Sequence, residues 1–292
     1  MSEIIAYVRP DVPRRHEPRT GIRVVYSDLD GTMVGPYGCF FRAEDGDLTA
    51  EPARALLDLL AAGIALVLVS GRTRPQLLEA SAIFGADGYI AELGAVIGWD
   101  LGRGTEVLGG AMPSTYDGPA AAVVEESGLL KELFDCYDGR LTYHAPWHVG
   151  HEADVMLRGR VDVPEVDEWL ADRGFGWLRL RDNGVLPHLQ DATLRPEALP
   201  AHVYHLMPDG ITKGLAVARD LARRGLSSSQ ALGIGDSASD LEMAPYVGHM
   251  WLTANGARHE HMAQLIAECP NVRVSTGALG LGWVEAIRAA LP

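Results

Sequence analysis

Two kinds of apolar pattern alternate at both ends of the chain. Short uninterrupted runs at residues 24–26, 64–69 and 231–234 have the length and β-branched content of strands buried on both faces. Between them, apolar residues recur at helical spacing. Ala53, Leu56, Leu57 and Leu60 fall at i, i+3, i+4 and i+7, which predicts a helix capped by Thr49 and ended by Gly63. A second helix is expected from about Arg74 to Phe84 and a third strand over Gly88–Ala91. Strand, helix, strand, helix, strand is the order of a parallel sheet covered by helices. The alternation returns late. A helix is expected over 213–224, with Leu215, Ala218, Leu221 and Ala222 on one side. A strand at 231–235, a short helix from about Leu241, a strand at 247–252, a helix over 259–268 and a closing helix over 282–291 follow.

The middle is patterned differently. Residues 101–205 hold six of the ten histidines, more aromatics and short alternating segments such as Leu141-Thr142-Tyr143-His144. Two helices, over 118–134 and 164–173, are expected among them. This reads as an α+β unit inserted between the halves of one α/β core. The expected division is therefore a core of 21–100 and 206–292, an insertion of 101–205, and a flexible arm of 1–20 carrying Arg9, Arg14 and Arg15 among prolines.

Charge breaks the apolar pattern where the first strand ends. Ser27-Asp28-Leu29-Asp30-Gly31-Thr32 puts two carboxylates one residue apart at a buried strand tip. Like charges there cost free energy unless neutralised, and a hard divalent cation such as Mg²⁺ takes oxygen ligands. The second strand stops at Ser70-Gly71-Arg72, Lys213 opens a helix, and the 231–235 strand runs into Asp236-Ser237-Ala238-Ser239-Asp240. Ligands of open parallel sheets bind outside the carboxyl ends of the strands, where these groups converge. The set suits phosphoryl transfer. Asp28 is the expected nucleophile, and Asp30 the acid that protonates the leaving oxygen and then activates water. Ser70, Lys213 and the backbone N–H groups about Leu29 and Gly71 would hold phosphate oxygens. Mg²⁺ between Asp28 and Asp236 would screen carboxylate from phosphate.

Composition narrows the class. The balance of 25 Lys+Arg against 39 Asp+Glu gives a net charge of −14, which argues against nucleic acid or an anionic membrane as the main partner. Cys39, Cys136 and Cys269 are far apart and form no CxxC, so a reducing cytoplasm is the expected location. No apolar stretch approaches a membrane span, and no signal peptide is read at the N-terminus.

Asp28-Leu29-Asp30-Gly31-Thr32, Ser70-Gly71-Arg72, Lys213-Gly214 and Gly235-Asp236-Ser237-Ala238-Ser239-Asp240 resemble, in order, the four motifs of the haloacid dehalogenase (HAD) superfamily. The resemblance covers residues 20–100 and 205–292. It implies a Rossmann-like core, Mg²⁺ and phosphatase activity. It implies metal binding by Asp28, Asp236 and Asp240 and by the backbone carbonyl of Asp30. The insertion resembles a C2B-type cap, as in Cof-type phosphatases, and the motif details resemble the mannosyl-3-phosphoglycerate phosphatase and sucrose-phosphatase branch. That branch implies a sugar phosphate or glycosyl-phosphoglycerate substrate. Two departures stand out: Ser239 replaces an asparagine, and Leu93-Gly94 after Glu92 replaces Asn-Gly.

The cap is less legible. Arg72 and Glu92 are possible substrate contacts, as are Arg158, Arg179 and Arg181. The spacing of His144, His148 and His151, and of His202 and His205, is not a zinc signature, so packed or solvated histidines are the expectation. Trp147, Trp169 and Trp177 are expected in the cap core. The expected activity is hydrolysis of a small phosphorylated metabolite. A phosphomutase using the same intermediate, or a binding protein without turnover, are the alternatives.

Overall fold

The computed structural model describes residues 21–186, 190–259 and 261–291. The N-terminal arm expected at 1–20 lies outside the described residues. The first half forms β1 (Val24–Asp28), α1 (Glu51–Ala61), β2 (Ala65–Val69), α2 (Arg74–Phe84), β3 (Gly88–Ala91), β4 (Val96–Trp99) and β5 (Gly104–Val107). Then come α3 (Ala120–Glu126), α4 (Leu129–Cys136), β6 (Leu141–Tyr143), β7 (Val155–Gly159), α5 (Val163–Asp172), β8 (Leu178–Leu186) and β9 (Ala201–Pro208). The chain closes with α6 (Lys213–Arg224), β10 (Ala231–Gly235), α7 (Ala238–Leu241), β11 (His249–Leu252), α8 (Ala254–Ala257), α9 (Met262–Glu268), β12 (Val272–Val274) and α10 (Leu279–Ala290).

Two sheets result. The larger has the order β12-β11-β10-β1-β2-β3-β4-β5, parallel from β12 to β3 and antiparallel beyond it. The chain builds outward from β1 to β2 and β3, then returns to place β10 on the other side of β1. That reversal opens a crevice at the carboxyl ends of β1 and β10. β1 is buried on both faces: Val25 joins one core cluster with Leu66, Leu232 and Trp283, while Val24 and Tyr26 join the other with Val67, Val217 and Met250. The smaller sheet, β6-β7-β9-β8, is antiparallel and packs α3, α4 and α5 around Val124, Leu133, Leu157 and Leu170. A mixed α/β fold of this kind, with a parallel-dominated sheet and a second antiparallel unit, is the fold class expected from the sequence.

Several local expectations shift. The buried stripe of α1 is Pro52, Ala55, Leu56 and Leu59, one residue earlier than the sequence suggested, and Leu57 is exposed. Both registers satisfy the 3.6 period, and packing against α10 and β2 selects the observed one. In α6 the buried side is Ala216, Val217 and Leu221 with Lys213, while Leu215 faces solvent. The helix expected over 118–134 is broken by Gly128 in a left-handed conformation. Gly104–Val107 pairs with the large sheet, and β9 runs three residues past 205. On this pairing we propose that the inserted cap spans about 109–208 and the core the rest of the described chain. Among the described residues no helix is long and apolar enough to cross a membrane.

The two units are tied together. Glu92 Oε2 accepts the backbone N–H groups of Glu152 at 2.9 Å and Ala153 at 2.7 Å. Arg74 pairs with Glu152 at 2.7 Å, and Arg181 of β8 pairs with Glu242 of the core. Glu92 is therefore not a substrate contact. It is fully buried, outside the cavity described below, and burial first, then the Asp154 carboxylate, pushes its pKa up to about 8. Leu93, the departure beside it, has a positive φ of 54° and packs into the core.

Candidate active site

The site is built at the crevice. β1 delivers Asp28 at its last position, and the turn that follows brings Asp30 to the rim. The turn requires glycine. Gly31 has a φ of +83°, and a Cβ there would lie 2.3 Å from Asp236 Oδ2. Asp236, directly after β10, is thereby pressed against the β1 turn. Thr32 Oγ1 donates to Asp236 Oδ1 at 3.3 Å, and Asn255 Nδ2 donates to Asp236 Oδ2 at 3.2 Å and to the Gly31 carbonyl at 2.8 Å.

Lys213 enters from α6. Thr212 caps that helix by accepting from the Leu215 N–H. The first-turn ammonium opposes the helix dipole, and two carboxylates compensate it. Its Nζ donates to Asp28 Oδ1 at 3.1 Å and Asp240 Oδ1 at 2.6 Å, and the side chain is only 3% exposed. Burial works against this charge, but Asp240 and Asp28 outweigh it and hold the Lys213 pKa above its ordinary value.

Asp28, Asp236 and Asp240 place carboxylate oxygens within 4.8 Å of one another. Burial is the largest influence raising the pKa of Asp28, opposed by Lys213, and burial followed by Asp240 pushes Asp236 up to about 7. Asp28 Oδ2 is buried and has no hydrogen-bond partner. An orphaned carboxylate oxygen facing other carboxylates is the donor set a hard divalent cation fits. Asp28, Asp236, Asp240 and the Asp30 carbonyl are the groups suited to hold it, and Asp240 is the most heavily bonded of them. Its Oδ1 receives Lys213, and its Oδ2 receives the N–H groups of Asp236 and Ser237 and the Ser237 hydroxyl at 2.6–3.0 Å. Those bonds also position the β10–α7 turn. Ser239 joins that turn, with its Oγ 3.0 Å from Ser237 Oγ.

A cavity of about 1020 Å³ opens over these groups, lined on the core side by Asp28, Asp30, Ser70, Gly71, Arg72, Lys213 and Asp236. Leu29 is different: its side chain is buried in the core, which leaves only its backbone for a phosphate. Arg72 makes a two-pronged pair with Asp30, Nε to Oδ2 at 2.7 Å and Nη2 to Oδ1 at 2.6 Å. Both oxygens of the expected acid are thus engaged by Arg72 in this conformation.

The cap supplies the opposite wall. His144, Trp147, His151, Met156, Asn183 and Leu186 line it. Of the arginines expected there, none lines the cavity: Arg158 binds Asp191, Arg179 binds Asp209 and Asp167, and Arg181 binds Glu242. Trp147 faces the cavity with 57% exposure, whereas Trp177 is buried in the cap core and Trp169 lies under Arg173. The histidines group in a way their spacing hid. His151 Nδ1 bonds Asp154 Oδ1 at 2.5 Å, and fully buried His205 bonds the other oxygen of Asp154. Asn183, Asn255 and Asp154 carry no motif signal in a single sequence, because each acts through a partner more than 18 residues away.

No family model matches the chain. Two curated relatives are 26% identical to it. A phosphoglycolate phosphatase of Methanoculleus marisnigri aligns over 275 residues, 93% of this chain and 97% of its own. An HMP-PP phosphatase of Escherichia fergusonii aligns over 274 residues, 86% of this chain and 89% of its own. The chain is a phosphatase, and its four motifs resemble those of the haloacid dehalogenase superfamily. Solved structures agree on the fold. The sucrose-phosphatase of Synechocystis superposes with a TM-score of 0.61 at 16% identity, covering 91% of this chain and 97% of that one. A haloacid dehalogenase-like hydrolase from Bacteroides thetaiotaomicron gives 0.59 at 17% identity, covering 92% and 99%.

Proposed function

We propose that this phosphatase hydrolyses a small phosphomonoester in a Mg²⁺-dependent reaction through an aspartyl-phosphate on Asp28. A sugar phosphate or glycosyl-phosphoglycerate is the substrate class. The observation that carries the reading is Asp28 itself: a buried carboxylate with one oxygen held by Lys213 and the other unpartnered, at the floor of the cavity. A carboxylate oxygen of Asp28 bonds to phosphorus as the bond from phosphorus to the leaving oxygen breaks. Lys213, Ser70 and the Gly71 backbone neutralise and orient the phosphoryl oxygens. Asp30, released from Arg72, gives its proton to the leaving oxygen, then takes one from the water that cleaves the acyl phosphate. Arg72 holds that carboxyl at the rim until substrate arrives. Asp28, Asp236 and the Asp30 carbonyl would hold Mg²⁺, which would supply the positive charge that lets a carboxylate approach a phosphate dianion. The cap wall excludes bulk water while the acyl phosphate exists.

The test is phosphate release from hexose phosphates, phosphoglycerates and glycosyl-phosphoglycerates, each with Mg²⁺ and with EDTA. Release from a subset with Mg²⁺, falling at least about 100-fold with EDTA and returning on Mg²⁺ addition, is expected. Equal rates in EDTA would contradict the metal requirement. Interconversion of phosphate positions without release would favour the mutase instead.

A further inference from the structure

We propose that the cap wall of the cavity selects an uncharged, hydroxyl-bearing leaving group and disfavours one that carries a carboxylate. The inference rests on the phosphatase reading above and narrows its substrate class. The cations that line the cavity belong to its core side: Lys213 lies between Asp28 and Asp240 at the phosphoryl end, and Arg72 is paired through two nitrogens with Asp30 at the rim until substrate arrives. Among the described residues, no lysine or arginine of the cap lines the cavity. Arg158 spends its guanidinium on Asp191 at 2.6 Å and the Ala145 carbonyl at 2.6 Å.

The lining imidazoles do not replace them. Burial first, then nearby Arg158, pushes the His144 pKa down to about 4, so it is neutral at physiological pH. Burial also opposes charge on His151, but Asp154 outweighs it and holds its pKa up. That charge is answered by the Asp154 carboxylate at 2.5 Å, and the other ring nitrogen is turned to the Trp147 carbonyl at 3.2 Å. No N–H of His151 is left for an incoming anion. A substrate carboxylate on this wall would therefore lose hydration without gaining a cation. It would also sit opposite Asp28, Asp30 and Asp236.

A hydroxyl meets a better match, because it both donates and accepts. His144 presents a neutral imidazole with one donor and one acceptor, and its Nδ1 is buried without a partner. Asn183 presents a carboxamide whose orientation is set from behind. Asp154 bonds His205 Nδ1, and His205 Nε2 lies 3.4 Å from Asn183 Nδ2. Asn183 Oδ1 is then the acceptor left for a ligand hydroxyl. Trp147 adds an exposed indole face suited to the C–H surface of a sugar ring. The cavity, at about 1020 Å³, is also far larger than a two-carbon acid would fill.

The experiment compares kcat/KM of the full-length Mg²⁺-loaded enzyme on hexose phosphates, 2-phosphoglycolate, 3-phosphoglycerate and p-nitrophenyl phosphate. The best hexose phosphate should exceed 2-phosphoglycolate and 3-phosphoglycerate by at least about tenfold. Asn183 is exposed on β8, so its variants keep the fold. Asn183→Leu should lower the ratio of hexose phosphate to p-nitrophenyl phosphate by about 10–100-fold. Asn183→Arg, which adds a cation to the wall, should raise the ratio of phosphoglycerate to hexose phosphate by at least about tenfold. The proposal is overturned if the carboxylated esters match or exceed the hexose phosphates, or if neither variant moves its ratio. Release from p-nitrophenyl phosphate with a carboxylated ester as the best substrate overturns this inference alone. No release from any ester overturns the phosphatase reading beneath it as well.

Discussion

Asp28→Asn is expected to lower kcat by at least about 10⁴-fold with little change in fold. The amide keeps the shape of the side chain but is a poor nucleophile, and it cannot form an acyl phosphate that water then clears. The surroundings support the same expectation. Asp28 is buried, flanked by Asp236 and Asp240, and its charge is a burden to the folded state that the bonded Lys213 offsets. Neutralising it removes repulsion, so the variant should melt at or above the wild-type temperature in EDTA. The paired measurement is steady-state phosphate release with a thermal melt on the same sample. Wild-type turnover by folded Asp28→Asn would remove Asp28 from the mechanism.

Lys213→Met has the second large effect, and it falls on stability as well as rate. The ammonium is the cation within hydrogen-bond distance of both Asp28 and Asp240, and it is nearly fully buried. Removing one partner of a buried charge cluster leaves the others uncompensated, at a cost of about 3–5 kcal/mol. Loss of a preorganised cation from the phosphoryl site lowers kcat by a further 10²–10³-fold as an order of magnitude. The pH dependence has a definite sign. Asp28 and Asp236 have folded-state pKa values raised above their unfolded ones, to about 7 for Asp236. A carboxyl with a raised folded pKa favours the folded state while protonated, and that contribution is lost as pH rises through the folded pKa. Without Lys213 the burden grows, so the stability gap from wild type should be widest above pH 7 and narrow toward pH 5. Denaturant midpoints at several pH values, in EDTA, read this out. A constant gap across pH would show that the loss comes from packing rather than from charge.

Much of the fold was legible because strand and helix periods are local properties. The buried strands of the large sheet and the polar groups at their carboxyl ends follow from runs such as 64–69 and from Asp28, Ser70 and Asp236 interrupting them. What failed was register. Pro52, Ala55, Leu56 and Leu59 form as good a helical stripe as the one shifted by a residue, and only packing against α10 and β2 decides between them. Roles that depend on partners were equally hidden. Glu92 looked like a substrate contact, yet it is fully buried outside the cavity, and its Oε2 accepts the Glu152 and Ala153 N–H groups across the seam. Asp240, in the acidic cluster the motif placed there, also holds Lys213 and the β10–α7 turn, which no motif shows. The cap wall was the least legible part. Asn183 gains its place at a register shift in the β8–β9 pairing, and His205 gains its role from Asp154, 51 residues away. No spacing rule joins such residues before the sheet is formed.

The most direct measurement of the central claim is the site of phosphoryl attachment. The Mg²⁺-loaded enzyme would be mixed with its best ester, quenched in acid within the first turnover, digested and analysed by mass spectrometry. The account predicts the mass of one phosphoryl group on the peptide containing Asp28, removed by hydroxylamine and absent from Asp28→Asn. Turnover with the label on any other residue, or with no covalent label at any quench time, would contradict it.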